Sequence, residues 1–217
     1  MNIHSYTLSD DINHNTDIVE KVAAILLEWG VAVLPTDTIY GLAVLPQYAD
    51  SVDRVYTLKN RTKTKNLPIM ISSKDQAHDL WLIITHNAQI LMDSPYMPWA
   101  ISLVLEHTLW KWPDRVKNRE ETAFRIPNHK WLLAVLEKTW PLLVTSANLQ
   151  DNKTPNNVTD ILEELHWSPD VVVDGWIIYN EQASTIINCR GSEIVIERIG
   201  KISPSEIELL VGTDSTT

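Results

Sequence analysis

Short apolar runs that end abruptly in loops rich in hydroxyls and carboxylates constrain this chain more than any other feature. Residues 31–34, Val-Ala-Val-Leu, run straight into Pro35-Thr36-Asp37-Thr38, and residues 142–144 into Thr145-Ser146-Ala147-Asn148. Apolar runs this short, bounded by turn residues, are buried strands rather than helices. Between them lie segments with helical spacing: Val19, Val22, Ala23 and Leu26, then Val52, Val55 and Tyr56, then Leu132, Leu133 and Leu136. Strand, polar loop and helix in alternation predict an α/β fold.

The first helix is expected to open on a capping box, Asp17 with Glu20, and to stop at Gly30. Strands are predicted at 69–71, 102–105, 122–126, 171–173, 185–187 and 194–196, and helices at 74–82, 86–92, 129–139 and 161–165. Ser203-Pro204 fits the cap and first position of a last helix closed by Gly212. No repeat, low-complexity block or linker divides the chain. A single domain over 1–217 is therefore expected, with a frayed tail at 213–217.

Bulk properties exclude several classes. A formal charge of −10 argues against a general nucleic-acid binder, whose affinity would rest on Lys and Arg at phosphates. No stretch approaches the ~20 apolar residues of a membrane helix, and the start, MNIHSYTLSDDINHNTD, lacks the layout of a signal peptide, so a cytoplasmic protein is expected. The lone Cys189 forms no internal disulfide, and the seven His residues show no HxxxH pair. The phosphate-cradling GxxxxGK[ST] and GxGxxG loops are absent, as is a GxSxG nucleophile elbow. Nine Trp against one Phe is unusual, and composition offers no reason for it.

Three loops carry candidate chemistry. Pro35-Thr-Asp-Thr-Ile-Tyr-Gly-Leu42 places hydroxyls, a carboxylate and a phenol after a strand, where open α/β sheets bind ligands, although Thr and Asp there also serve as plain caps. Lys59, Arg61, Lys63 and Lys65 put four cations into seven residues; Lys59 and Arg61 are spaced to converge on a polyphosphate, or simply to face solvent. Ser146 and Asn148 offer a hydroxyl and an amide beside the small Ala147. Arg125, mid-strand between apolar neighbours, needs either an internal carboxylate or a substrate carboxylate. His129, beside Pro127, reads as structural.

In this order, PTDTIYGL at 35–42, KNR at 59–61, FRIP at 124–127, TSAN at 145–148, ST at 184–185 and RIG at 198–200 resemble the YrdC-like threonylcarbamoyl-adenylate synthase family over roughly residues 20–201. The family signature, KxR with a later SxN, is met by Lys59, Arg61, Ser146 and Asn148. The resemblance implies a twisted mixed open sheet with flanking helices around a deep, positively lined cavity. It implies that L-threonine, bicarbonate (or CO2) and ATP, with Mg2+, give threonylcarbamoyl-AMP and pyrophosphate. A separate transferase then uses the product on an adenosine of tRNA. Carried over by position, Thr38, Arg125 and Ser184 would hold threonine; Arg61, Asn66, Ser146, Thr154 and Arg198 would hold ATP, and Lys59 and Asn148 complete the catalytic signature.

Departures from the family pattern fall at Trp99 and Ala100, at Gln150 and Asp151, at Trp176, and at Ile71, where some relatives have His. They leave open a divergent paralogue with another acyl or carbamoyl substrate. A further alternative is a translation-associated protein that contacts tRNA or double-stranded RNA through the same cavity.

Overall fold

In the computed structural model of the protein, residues 3–63, 65–80, 82–108, 120–165, 168–178 and 182–212 are described. They form ten strands, β1 His4–Thr7, β2 Ala32–Leu34, β3 Gly41–Val44, β4 Ile69–Met70, β5 Ile101–Glu106, β6 Glu121–Arg125, β7 Leu142–Ser146, β8 Val171–Asp174, β9 Thr185–Asn188 and β10 Val195–Arg198. Seven helices accompany them: α1 Ile12–Leu27, α2 Ala49–Leu58, α3 Lys74–Asp79, α4 His86–Asp93, α5 Lys130–Thr139, α6 Val158–Glu164 and α7 Pro204–Gly212. The expected tail at 213–217 lies outside the described residues.

All ten strands join one mixed sheet in the order β1-β8-β2-β3-β7-β4-β6-β5-β9-β10. Side chains alternate between the two faces of each strand. On β6, Thr122 and Phe124 are buried on one face while Glu121, Ala123 and Arg125 point to the other, into a cavity. One apolar cluster joins that first face (Leu42, Ile69, Leu103, Phe124, Ile187) to residues of α2, α3, α4, α6 and α7. A second packs α1 and α5 on the opposite face, over Ala32, Ala43, Met70, Leu142, Val144 and Val171. Alternate residues of β6, β5 and β9 on that second face form the cavity floor.

Helix ends follow local chemistry, with two corrections. α1 begins at Ile12 rather than at Asp17: the Asp11 carboxylate caps it by accepting from Asn13 N at 2.9 Å, and Asp17 pairs with Lys21 instead. The polar turn Asn13–Thr16 precedes the first buried residue, Ile18, so apolar spacing alone places the start too late. At the other end the left-handed residue is Trp29 (φ 72°), not Gly30. Gly30 is needed for closeness: a Cβ there would sit 2.5 Å from the Ile25 carbonyl oxygen. The last helix opens as expected. Ser203 and Glu206 form a capping box, with Ser203 N donating to Glu206 Oε2 at 2.9 Å and Glu206 N to Ser203 Oγ at 3.4 Å.

Trp29, Trp140 and Trp176 all have positive φ and are more than half exposed. Trp140, which ends α5, has φ 71° and ψ −175°, a region almost confined to glycine. In urea unfolding, Trp140→Gly should therefore be more stable than Trp140→Ala by about 1 kcal/mol, the reverse of their order inside a helix.

Candidate active site

The cavity has a volume of about 530 Å³, within the usual range for small-molecule sites. Its lining includes Thr38, Arg61, Asn66, Arg125, Ser146, Asn148, Thr154, Ser184 and Arg198, so nine of the ten residues named from the sequence meet there. Lys59 does not line it.

The Lys59-Asn60-Arg61 turn explains this separation. Asn60 sits at φ 49°, its N–H donates to Thr57 O at 3.0 Å, and Arg61 N donates to Tyr56 O at 2.9 Å. That is a Schellman turn with Asn in the left-handed position. It sends Lys59 and Arg61 in different directions. The Lys59 amine, on a residue only 1% exposed, donates to Ser146 O at 2.5 Å, Asn148 O at 2.6 Å and Asn148 Oδ1 at 3.1 Å. In return Gln150 N donates to Lys59 O at 2.8 Å. Lys59 thus holds the Ser146–Asn148 loop from beneath and does not converge with Arg61 on a ligand. Burial, and then the charge of Arg61, push its pKa down to about 7.

Arg61 faces the cavity. Its Nε donates to Lys65 O at 3.2 Å and its Nη2 to Asn66 O at 3.1 Å. Arg198 rests on Ser184, donating from Nε and Nη2 to the carbonyl at 3.2 and 2.8 Å. The Ser184 hydroxyl lies 3.3 Å from Arg198 Nη2 and 2.8 Å from Ser102 Oγ, a buried partner that the sequence did not single out. Among the described residues, neither Arg61 nor Arg198 has a carboxylate partner. Burial lowers the pKa of both, and for Arg198 the charges of Arg125 and Arg61 lower it further. Like charges held together with no carboxylate in contact among the described residues suit an anion site.

Arg125 differs. Its partner is the internal carboxylate, Asp37, at 2.8 Å, so it is not a bare fork awaiting a ligand. The Asp37 loop reaches it past β7 and β4, and is fixed by Thr36, whose Oγ1 accepts from Thr38 N at 3.1 Å and donates to Ile39 O at 2.7 Å. The Tyr40 phenol is tied to β8's end, donating to Trp176 O at 2.8 Å and accepting from Gly175 N at 2.9 Å. Burial raises its pKa, which keeps it a neutral brace. His129 is structural as expected: its Nδ1 accepts from Leu132 N at 3.3 Å and caps α5.

Between the arginines the floor is apolar, made by Val104, Ala123 and Ile186, and beyond it lie Glu121 and Glu197. Glu121 is four positions before Arg125 on the same face of β6, a placement that period-two alternation could have revealed.

The family profile for Sua5, YciO and YrdC, described as "Telomere recombination", matches residues 24–200. The chain belongs to this family. Threonylcarbamoyl-AMP synthase of Bacillus subtilis is 29% identical over 211 residues, an alignment covering 94% of this chain and 60% of that one. The structure of Pyrococcus abyssi Sua5 complexed with L-threonine superposes with a TM-score of 0.85 at 24% identity, covering 98% of this chain and 61% of that one. Escherichia coli YciO gives 0.81 at 18% identity and covers 95% and 98%. The chain thus spans about 60% of the length of the synthase and Sua5 chains it matches. The mixed open sheet with flanking helices is the fold of Sua5 and YciO.

Within this Sua5/YciO/YrdC frame the departures have definite places. Trp99 supplies a carbonyl to Arg125, Gln150 accepts from Thr62 N through Oε1 at 3.4 Å, and Asp151 lies 3.9 Å from Lys65. Trp176 packs outside the cavity lining, its indole N–H on Leu8 O at 2.9 Å. Ile71 is fully buried in the core beyond β4 and is not among the lining residues.

Proposed function

We propose that this chain forms threonylcarbamoyl-AMP and pyrophosphate from L-threonine, bicarbonate or CO2, and Mg·ATP. The observation that carries this reading is the pair of guanidiniums, Arg61 and Arg198, braced among the described residues by carbonyls and the Ser184 hydroxyl rather than by carboxylates, in a cavity that also holds the Arg125 end. The kinship with threonylcarbamoyl-AMP synthases supports it.

The reaction joins two anions, so its main need is electrostatic. The neutral amine of threonine attacks CO2, forming an N–C bond and losing a proton. A carbamate oxygen then attacks the α-phosphorus of ATP; the new P–O bond forms as the bond to the β-phosphate oxygen breaks and pyrophosphate leaves. Arg61 and Arg198 would neutralise the polyphosphate and the departing pyrophosphate. Thr38, Arg125 and Ser184 would hold threonine, and Asn66, Ser146 and Thr154 would complete the ATP side. Mg2+ enters with ATP as part of the substrate, on phosphate oxygens. No covalent nucleophile is needed. Proximity supplies much of the acceleration. A separate transferase would pass the product to tRNA.

Among the described residues no helix is long and apolar enough to cross a membrane. The test is pyrophosphate release from Mg·ATP, with threonine and bicarbonate each omitted in turn and with serine and other amino acids substituted. Release that requires both threonine and bicarbonate is the expected result. Release driven equally by another amino acid would point to a divergent member with a different acceptor.

A further inference from the structure

Among the described residues, Arg125 is the one of the three guanidiniums lining the cavity that contacts a carboxylate. Its Nη2 donates to Asp37 Oδ1 at 2.8 Å, and the two side chains are 5% and 7% exposed. Nη1 donates to Thr38 Oγ1 at 2.8 Å and Nε to Trp99 O at 2.9 Å. The second Asp37 oxygen accepts from Asn128 N at 3.0 Å, so the carboxylate is held at both oxygens. A guanidinium has five N–H donors. Three are used here, which leaves one on each terminal nitrogen.

A buried ion pair is nearly neutral to an approaching anion, while its free N–H groups still donate. Polyphosphate follows positive charge, which in this lining comes from Arg61, Arg198 and Lys65, the last 3.9 Å from Asp151, while Glu121 and Glu197 lie beyond the apolar floor. An amino-acid carboxylate carries less charge and depends more on directed hydrogen bonds. We propose that Asp37 is a specificity-determining residue that partitions the cavity by charge. By neutralising Arg125 it directs the nucleotide's polyphosphate to Arg61 and Arg198, and it reserves the remaining N–H groups of Arg125 for a carboxylate. The identity of the two ligands rests on the proposed reaction; the partition itself does not require turnover. Trp99 O and Thr38 Oγ1 keep the guanidinium aligned without Asp37, so loss of Asp37 alters charge before orientation.

The test is thermal unfolding with inorganic tripolyphosphate, acetate or L-threonine as the added anion. Asp37→Asn should be protected by tripolyphosphate and by acetate at concentrations about 10-fold lower than wild type, because an opposite charge in contact has been removed. Its preference for threonine over acetate should shrink. A folded Asp37→Asn with wild-type dependence on all three would make Asp37 a structural brace and overturn the proposal. Should that variant fail to fold, Asp37→Asn/Arg125→Gln leaves no unpaired buried charge. It should keep wild-type protection by tripolyphosphate and lose that by threonine; weakened tripolyphosphate protection, or retained threonine protection, would overturn the partition. A wild-type protein that releases no pyrophosphate with threonine would reject the proposed reaction and leave these anion measurements standing.

Discussion

Lys59→Ala should lose turnover and stability together. Its amine is the shared donor for three oxygens of the Ser146–Asn148 loop, and each is left without that bond in the variant. Leaving such buried acceptors unsatisfied costs about 1–3 kcal/mol. The freed loop carries Ser146 and Asn148 out of register with Arg61, and misplacement on this scale costs about 100-fold in rate. Lys59→Met, which keeps the apolar stem, should lose nearly as much. The pH dependence has a definite sign. The amine's folded-state pKa of about 7 lies below its ordinary 10.5, so the unfolded chain binds more protons between those values. Stability therefore rises with pH across that window, and Lys59→Met should flatten the rise in urea titrations. A Lys59→Ala protein with wild-type melting and lost activity would instead place Lys59 on the substrate.

Arg61→Ala should separate the two effects. Among the described residues the guanidinium donates to the Lys65 and Asn66 carbonyls, with Asp151 acting on it without contact, and its charge raises the cost of Lys59 and Arg198 nearby. Stability should thus change by less than about 1 kcal/mol. Pyrophosphate release should fall about 100- to 1,000-fold, as expected when one preorganised donor to developing charge is removed. Arg61→Lys should recover little of it, since an ammonium cannot reproduce a planar fork held at two carbonyls. Equal losses of melting temperature in Arg61→Ala and Lys59→Ala would contradict the different roles given to these neighbours.

That difference was only partly legible in the sequence. The spacing of Lys59 and Arg61 suggested convergence, yet the intervening Asn60 adopts φ 49° and splits them across the chain. Asn just past a helix end is a known left-handed cap, so the turn had a signal even though the destination of Lys59 had none. The pairing of Arg125 with Asp37 spans 88 residues, and a single sequence leaves both of its possible partners open. Buried strands were readable because β7 and β8 each open on three consecutive apolar residues. β1, His-Ser-Tyr-Thr on an open edge, has no such pattern. β3 begins at Gly41, inside the polar motif at 35–42 whose turn-like residues conceal the strand's start. The loops that gather the site were the most legible part, because polar residues directly after a buried strand have few places to go except its carboxyl end.

The central claim is that this cavity joins a carbamate of threonine to AMP. It is tested most directly by incubating the protein with Mg·ATP, L-threonine and carbon-labelled bicarbonate, and examining the nucleotide products by mass spectrometry. The account predicts a threonylcarbamoyl-AMP species that carries the label and disappears in Arg61→Ala. AMP or ADP formed without a labelled adduct, at a rate indifferent to threonine, would contradict it.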